Sequence, residues 1–142
     1  MPLPFPHGLA LAAALALSTA AAGEAPSPAA SHLSKGGAFE EEGGAALYAN
    51  VCAGCHQPDA RGASGAADYP SLADDKDLAS ADYLERVLLE GQRGMPALGR
   101  MMSDRQVADV INYVRSHFGN AYGEDISPAE VEAARRRAGS AP

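Results

Sequence analysis

The sequence predicts an all-α protein built from three to four helices. Within its 142 residues we find no stretch with the apolar alternation of a convincing β-strand. The clearest periodic segment carries Val107, Val110, Ile111 and Val114 at intervals of three and four residues, which places them on one face of an α-helix. A second apolar stripe of this kind lies between residues 81 and 90. Amphipathic helices without strands indicate a fold in which helices pack on one another.

Residues 1–22 are predicted to be a cleaved secretory signal. Leu9 to Leu17 form an apolar run, and Thr19 to Ala22 supply small residues before a cleavage point at Gly23. No Lys or Arg precedes the run, and the uncharged stretch is shorter than the roughly 20 apolar residues of a membrane helix. An interfacial membrane anchor is the alternative. Residues 23–39, rich in Ala, Pro, Ser and Gly, are predicted to be a flexible leader.

A folded domain is predicted over residues 40–120. Glu40 to Glu42 suit the first turn of a helix, since the helix dipole favours negative charge there. Leu47, Tyr48 and Val51 then form an apolar face that leads into Cys52. The chain from there to residue 80 is predicted to be mostly loop, because Pro and Gly recur along it.

The remaining helices of the domain carry recognisable start and stop residues. Ser80 is the predicted N-cap of a helix from Ala81 to Glu90, which a glycine ends. Ser103 and Gln106 match the capping box of the helix that bears the clearest apolar stripe, and Gly119 is predicted to end it.

Residues 121–142 are predicted to be a C-terminal extension with one short helix from Pro128 to Arg137. Ser127 and Glu130 match a second capping box. The three arginines at positions 135–137 suit the negative end of this helix without any need for a partner.

The chemistry of the chain is concentrated in Cys52-Ala53-Gly54-Cys55-His56. Two cysteines three positions apart, followed directly by a histidine, form the attachment signature of haem c. Both thiols can bond to one porphyrin edge, and the histidine can then ligate the iron. These are the only two cysteines of the sequence. A disulfide or a thioredoxin-like redox dithiol is the alternative, although no βαβ pattern accompanies the motif.

A methionine on the opposite face of the iron would distinguish an electron carrier from an open haem site. Met95 lies in Gly94-Met95-Pro96, within a stretch that can fold as a loop over the haem. Met101 and Met102 are alternatives, but they adjoin a capping box, where methionine more often fills a core. A haem would also complete the thin core of so small a helical domain, so we expect three to four helices packed around one covalently attached haem c.

The formal net charge of −7 excludes the basic footprint of a nucleic-acid-binding protein. Arg93, Arg100 and Arg105 nevertheless surround Met95 in the sequence. They indicate either a basic rim that docks on an acidic redox partner or ordinary solubilising charge. Arg61 follows the attachment motif closely and could pair with a haem propionate; a solvated loop arginine is the alternative.

Five motifs follow one another along the chain: Cys52-Ala53-Gly54-Cys55-His56, Pro70-Ser71-Leu72, Gly94-Met95-Pro96-Ala97, Ser103-Asp104 and the segment from Val110 to Arg115. In this order they resemble a class I monohaem cytochrome c of the bacterial soluble type. The resemblance implies that the first and last helices of the domain cross near the haem, at Gly44, Tyr48 and Tyr113. It also implies His56 and Met95 as axial ligands, with the Pro70 carbonyl accepting a hydrogen bond from the proximal imidazole.

The sequence therefore predicts a periplasmic one-electron carrier with one haem c, His/Met ligation and no enzymatic activity of its own. The alternatives are a cytochrome subunit of a periplasmic dehydrogenase or oxidase complex, or an open-site haem enzyme or gas-binding protein. The expected partners are redox proteins: a dehydrogenase or cytochrome complex as donor, and a terminal oxidase or reductase as acceptor. We expect a monomer, neither bound to nucleic acid nor stably inserted in a membrane after cleavage.

Overall fold

The computed structural model describes residues 37–123 and 125–139, which are helical and contain no β-strand beyond two isolated bridges. The predicted signal peptide and most of the predicted leader lie outside these residues. Two 3₁₀ turns, at Lys76–Ala79 and Leu98–Met101, connect the helices. The helices are α1 (Gly44–Leu47), α2 (Ala53–His56), α3 (Ala81–Glu90), α4 (Asp104–Ser116) and α5 (Pro128–Gly139).

A π-helical segment, Tyr48–Cys52, joins α1 to α2, so these three pieces form one continuous helix. With α3, α4 and α5 this makes four helices in the part of the chain that the structure describes, and the all-α prediction is confirmed. No helix in residues 37–123 and 125–139 has the length and apolar character needed to cross a membrane.

The prediction that Glu40 to Glu42 form the first turn of a helix is wrong. They precede α1, which begins only at Gly44, after Gly43 has turned the backbone to φ 79°. The Gln106 side chain explains this non-helical path, because its Nε2 donates to the carbonyls of Phe39 and Glu41 at 2.9 Å each. Tertiary contact with α4 has therefore overridden the local preference for acidic residues in a first turn.

Helices α3 and α4 begin where their caps predict. Ser80 Oγ accepts from the Tyr83 N–H, and Ser103 and Gln106 form a complete capping box. Helix α4 ends at Ser116, however, three residues before Gly119. Phe118 already has φ 59°, and Asn120 Nδ2 donates to the Val114 carbonyl at 2.8 Å in place of a helical N–H.

The continuous first helix crosses α4 at close range. A Cβ on Gly44 would lie 2.2 Å from Asp109 O and 2.4 Å from Tyr113 Cβ, so only glycine allows this approach. One turn on, the Tyr48 and Tyr113 rings lie 5.8 Å apart, and the Phe118 ring is 4.6 Å from that of Tyr48. The predicted crossing at Gly44, Tyr48 and Tyr113 is confirmed.

The segment after residue 120 folds back on the helices that precede it. Val131 is fully buried, and Ala134 is 7% exposed. The Asn112 amide side chain forms a pair of hydrogen bonds with the backbone of Ile126, at 2.9 and 3.0 Å. Helix α5 therefore contributes to the core. The most completely buried side chains of the described residues are Leu47, Leu78, Val107, Ile111 and Val131.

Candidate haem centre

The predicted attachment residues lie at the end of the continuous first helix. Cys52 is buried, Cys55 is exposed, and both are free thiols. Burial, with a smaller effect of Cys55, raises the pKa of the Cys52 thiol to about 12. A redox-active dithiol needs a lowered thiol pKa, because the thiolate is the nucleophile. Two reduced cysteines, one inside and one at the surface, fit attachment of a group that is itself partly buried.

His56 has the hydrogen bonding that a metal-ligating histidine requires. The ring is 8% exposed, and its Nδ1 lies 3.0 Å from the Pro70 carbonyl oxygen. A carbonyl can only accept, so Nδ1 carries the proton and Nε2 presents its lone pair. Nε2 forms no hydrogen bond with any residue that the structure describes, and the ring is therefore fixed in the tautomer that binds a metal.

One carbonyl accepts three hydrogen bonds in the loop that carries Pro70. The buried Ala60 oxygen accepts from Leu72 N at 2.7 Å, from Ala73 N at 3.0 Å and from Ser71 Oγ at 3.2 Å. All three donors directly follow Pro70 in the chain. They fix the direction in which the Pro70 carbonyl points.

Gly62 lies on the opposite side of this loop and allows the backbone there to approach Tyr69 and Pro70 closely. Its N–H donates to the His56 carbonyl at 2.9 Å, and Ala63 and Tyr69 beyond it form an antiparallel bridge. Gly62 has φ 68°, and a Cβ there would lie 2.2 Å from Tyr69 O and 2.7 Å from Pro70 O. Sequence reasoning missed this glycine, because neither its φ nor its neighbour is visible in the local sequence.

Met95 lies at the end of a tight turn rather than in a helix. The backbones of Gln92 and Met95 bond to each other at 2.9 and 3.0 Å, and the Met95 side chain is partly buried against the core. Gly91 permits the turn, since its φ is 80° and a Cβ would lie 2.8 Å from Met95 O. Met102 is 6% exposed within the core, and Met101 is partly buried.

The basic residues near the site lie at the surface. The Arg61 side chain is 75% exposed, with its Nε 3.7 Å from Asp59 Oδ2. Arg93 and Arg100 are exposed, and Arg105 pairs with an aspartate one turn further along α4. The partners of Arg61 and Arg105 are thus acidic residues of the same chain.

Arg135 has a role that its sequence position did not predict. We expected it to interact with the negative end of its own helix, but it bonds to another part of the protein. Its Nε donates to Asp104 Oδ1 at 2.6 Å, and its two Nη atoms donate to the carbonyls of Gly99 and Met102 at 2.8 and 2.7 Å. These acceptors are more than thirty positions away in the chain, so no local pattern reveals them.

Two open clefts adjoin α3 and α5, and their linings include charged side chains of both helices, among them Glu85 and Arg137. Neither cleft is lined by Cys52, Cys55 or His56. The predicted attachment residues therefore lie outside these two clefts.

Comparison with known proteins shows the family. Residues 40–114, more than half of the chain, match the family described as cytochrome c oxidase, cbb3-type, subunit III. The chain belongs to this family of c-type cytochromes. The resemblance to class I cytochromes c is thereby confirmed, and so is the prediction of haem c, bound covalently through Cys52 and Cys55. The role of such a domain is electron transfer.

Two relatives are cytochrome subunits of dehydrogenases. The gluconate 2-dehydrogenase cytochrome c subunit of Pantoea cypripedii is 32% identical over 109 residues, which cover 68% of this chain and 25% of the relative. The fructose dehydrogenase cytochrome subunit of Gluconobacter japonicus is 39% identical over 93 residues, covering 55% of this chain and 19% of the relative. The chain thus spans about a quarter or less of the length of each.

Proposed function

We propose that this cytochrome is a periplasmic one-electron carrier whose haem iron is ligated by His56 and Met95. The observation that carries the proposal is the 3.0 Å contact between His56 Nδ1 and Pro70 O, which leaves Nε2 as the free ligand atom of a buried ring. When bound, haem c supplies an iron that accepts and releases one electron. A hydrogen-bonded imidazole keeps its orientation in both oxidation states, which favours rapid transfer.

Met95 completes the proposal on the opposite face. A thioether there raises the potential and excludes exogenous ligands, as suits a carrier rather than a gas-binding or catalytic haem. Its position supports this role, since the turn from Gln92 to Met95 is closed by backbone bonds and its side chain faces the core. Met102 is buried as core filling.

Absorption spectra of the oxidised and reduced holoprotein test this ligand set. We expect haem c bands and a weak sulfur-to-iron band in the oxidised form. The band should disappear in Met95→Ala and persist in Met101→Ala, the matched control, since Met101 is also partly buried. Carbon monoxide should bind the reduced protein poorly at neutral pH. Rapid carbon monoxide binding, or a band that survives Met95→Ala, would refute Met95 ligation.

A second candidate function is favoured by the names of the relatives. Both are cytochrome subunits of dehydrogenases, so this chain can act as the electron-accepting subunit of a periplasmic dehydrogenase. Gentle purification of the tagged protein from its own cells separates the two functions. A free carrier elutes as a small haem protein, whereas a subunit elutes with a larger enzyme whose substrate reduces the haem.

Export from the cytoplasm is a further part of the proposal. We expect residues 1–22 to direct export and to be removed, so that the mature protein recovered from the periplasm begins at Gly23. A mass that includes residues 1–22 would contradict this.

Arg61 is also proposed to contact a haem propionate. Because its side chain is 75% exposed, Arg61→Ala should shift the potential only slightly, and an unchanged potential would refute the contact.

A further inference from the structure

Arg135 joins the C-terminal helix to the segment that carries the proposed distal ligand. One guanidinium bonds to the Asp104 carboxylate in the first turn of α4 and to the carbonyls of Gly99 and Met102. Its side chain is 31% exposed and that of Asp104 is 32% exposed, so these bonds are partly shielded from water. Arginine suits this position, because its rigid fork of donors can satisfy three acceptors at once.

Arg135 bonds to the carbonyl of Gly99, in the 3₁₀ turn Leu98–Met101, and to that of Met102, which directly follows the turn. The turn continues directly from the Met95 loop, residues 91–97. The N–H of Leu98 donates to the Pro96 carbonyl at 2.8 Å, so the turn and the loop form one hydrogen-bonded unit. On its other side the turn packs against α3, where a Cβ on Gly99 would lie 2.9 Å from Leu88 O. The unit is therefore held between α3 and the Arg135 side chain.

We propose that Arg135 is a positioning residue that keeps the Met95 loop closed over the haem. The inference rests on the proposed ligation by Met95 and extends it, since it gives α5 a role in retaining the distal ligand. Arg135 itself touches no reacting atom. It acts by lowering the population of an open state in which residues 95–102 have moved and the iron is accessible from the distal side.

The open population can be measured with an added ligand. If imidazole binds ferric iron only when the loop is open, its apparent dissociation constant equals the intrinsic value divided by the open fraction. Loss of two charge-assisted bonds to carbonyls should raise that fraction about tenfold or more. Imidazole should therefore bind Arg135→Ala about tenfold more tightly than the wild-type holoprotein.

The experiment titrates ferric holoprotein with imidazole and follows the loss of the sulfur-to-iron band. Arg136→Ala is the matched control, because Arg136 lies on the same helix, is 64% exposed and, among the residues that the structure describes, pairs with Glu132 one turn away. Arg135→Lys should fall between wild type and Arg135→Ala, since one ammonium group cannot reach all three acceptors. It also carries the test if Arg135→Ala does not accumulate as holoprotein.

The outcomes separate this inference from the proposed function. A sulfur-to-iron band that survives Met95→Ala would refute the ligand assignment and the role of Arg135 together. A band that depends on Met95, combined with equal imidazole affinity in Arg135→Ala and Arg136→Ala, would refute only the role of Arg135. A purely structural Arg135 predicts this second result, with a lower unfolding midpoint but no change in imidazole affinity.

Discussion

Replacement of Gly62 by alanine should raise the haem potential by displacing the Pro70 carbonyl. The new Cβ would lie 2.2 Å from Tyr69 O and 2.7 Å from Pro70 O. Ordinary van der Waals contact begins near 3.4 Å, so the backbone of Tyr69 and Pro70 must move away from residue 62 by about 1 Å. A retreat of that size would stretch the 3.0 Å contact between His56 Nδ1 and Pro70 O to about 4 Å, which is no longer a hydrogen bond.

The direction of the shift follows from the ligand's basicity. A hydrogen bond at Nδ1 makes the imidazole of His56 a stronger donor and stabilises ferric iron, so its loss favours ferrous iron. The bond contributes about 1 kcal/mol, and a one-electron couple shifts by about 59 mV per tenfold change in equilibrium constant. We therefore expect an upward shift on the order of 10 to 40 mV. The left-handed backbone at position 62 would add a stability cost of about 1–2 kcal/mol in Gly62→Ala, because a side chain with a Cβ disfavours that conformation.

Gly43→Ala is the matched control for backbone strain. Gly43 has φ 79°, but a Cβ there meets nothing within 4 Å. With ψ 152° this backbone conformation also disfavours a Cβ, so Gly43→Ala should lower the free energy of unfolding and leave the potential unchanged. Protein-film voltammetry gives the potentials, and urea unfolding gives the stabilities. Equal potentials for folded Gly62→Ala and Gly43→Ala holoproteins would refute the proposed link from Gly62 to His56.

Four further predictions concern the helix crossing, the haem, one buried carboxyl and docking. Gly44→Ala should cost about 1–3 kcal/mol of unfolding free energy through overpacking, whereas Gly54→Ala, whose Cβ meets nothing within 4 Å, should cost far less; equal urea midpoints would contradict this. Replacing both Cys52 and Cys55 by alanine should prevent stable accumulation, and a well-folded haem-free variant, seen by circular dichroism, would refute a haem-dependent core. Burial, reinforced by the neighbouring Asp82, raises the pKa of the Glu85 carboxyl above its usual 4.5. The folded state therefore keeps this proton to a higher pH than the unfolded state does, and the free energy of unfolding should fall as the pH rises above 4.5. Glu85→Gln should flatten that slope in urea unfolding from pH 4 to 7, and an unchanged slope would contradict it. If Arg93, Arg100 and Arg105 dock on an acidic partner, the rate of electron transfer measured by stopped flow should fall as ionic strength rises. A rate that does not change with ionic strength would exclude such docking.

Local hydrogen bonds explain why so much of the fold could be predicted. The caps at Ser80, Ser103 and Ser127 each bond within three residues of themselves, so the sequence alone contains both partners. The attachment motif from Cys52 to His56 is equally local. Caps whose two partners are close in the chain were therefore predicted well.

Tertiary contacts account for the errors. Glu40 to Glu42 suit a helix start, but Gln106, 65 positions beyond Glu41, bonds to this segment, which is not helical. Phe118 continues the apolar period of α4, yet it adopts φ 59° and packs on Tyr48 instead. Periodicity reports which side chains are buried, and it does not report where the backbone leaves the helix.

The same contrast between local and distant partners applies to the candidate site. The candidate ligands and the Pro70 carbonyl beside His56 could be predicted, whereas Gly62 and Arg135, which hold the neighbouring segments in place, could not. Gly62 and Arg135 have no motif, and their partners are identified only when the loop and α5 have folded against the helices.

The junction formed by residues 99–106 sets an order of assembly. Phe39 N bonds to Met101 O, Gln106 holds the segment before α1, and Arg135 holds Gly99 and Met102. Arg135 follows His56 by 79 positions in the chain. During synthesis the attachment motif therefore emerges before the last residue that closes the junction. Because distant contacts must first overcome the entropy of loop closure, we expect the junction to form late in folding, while Cys52 and Cys55 are still accessible for attachment of the haem.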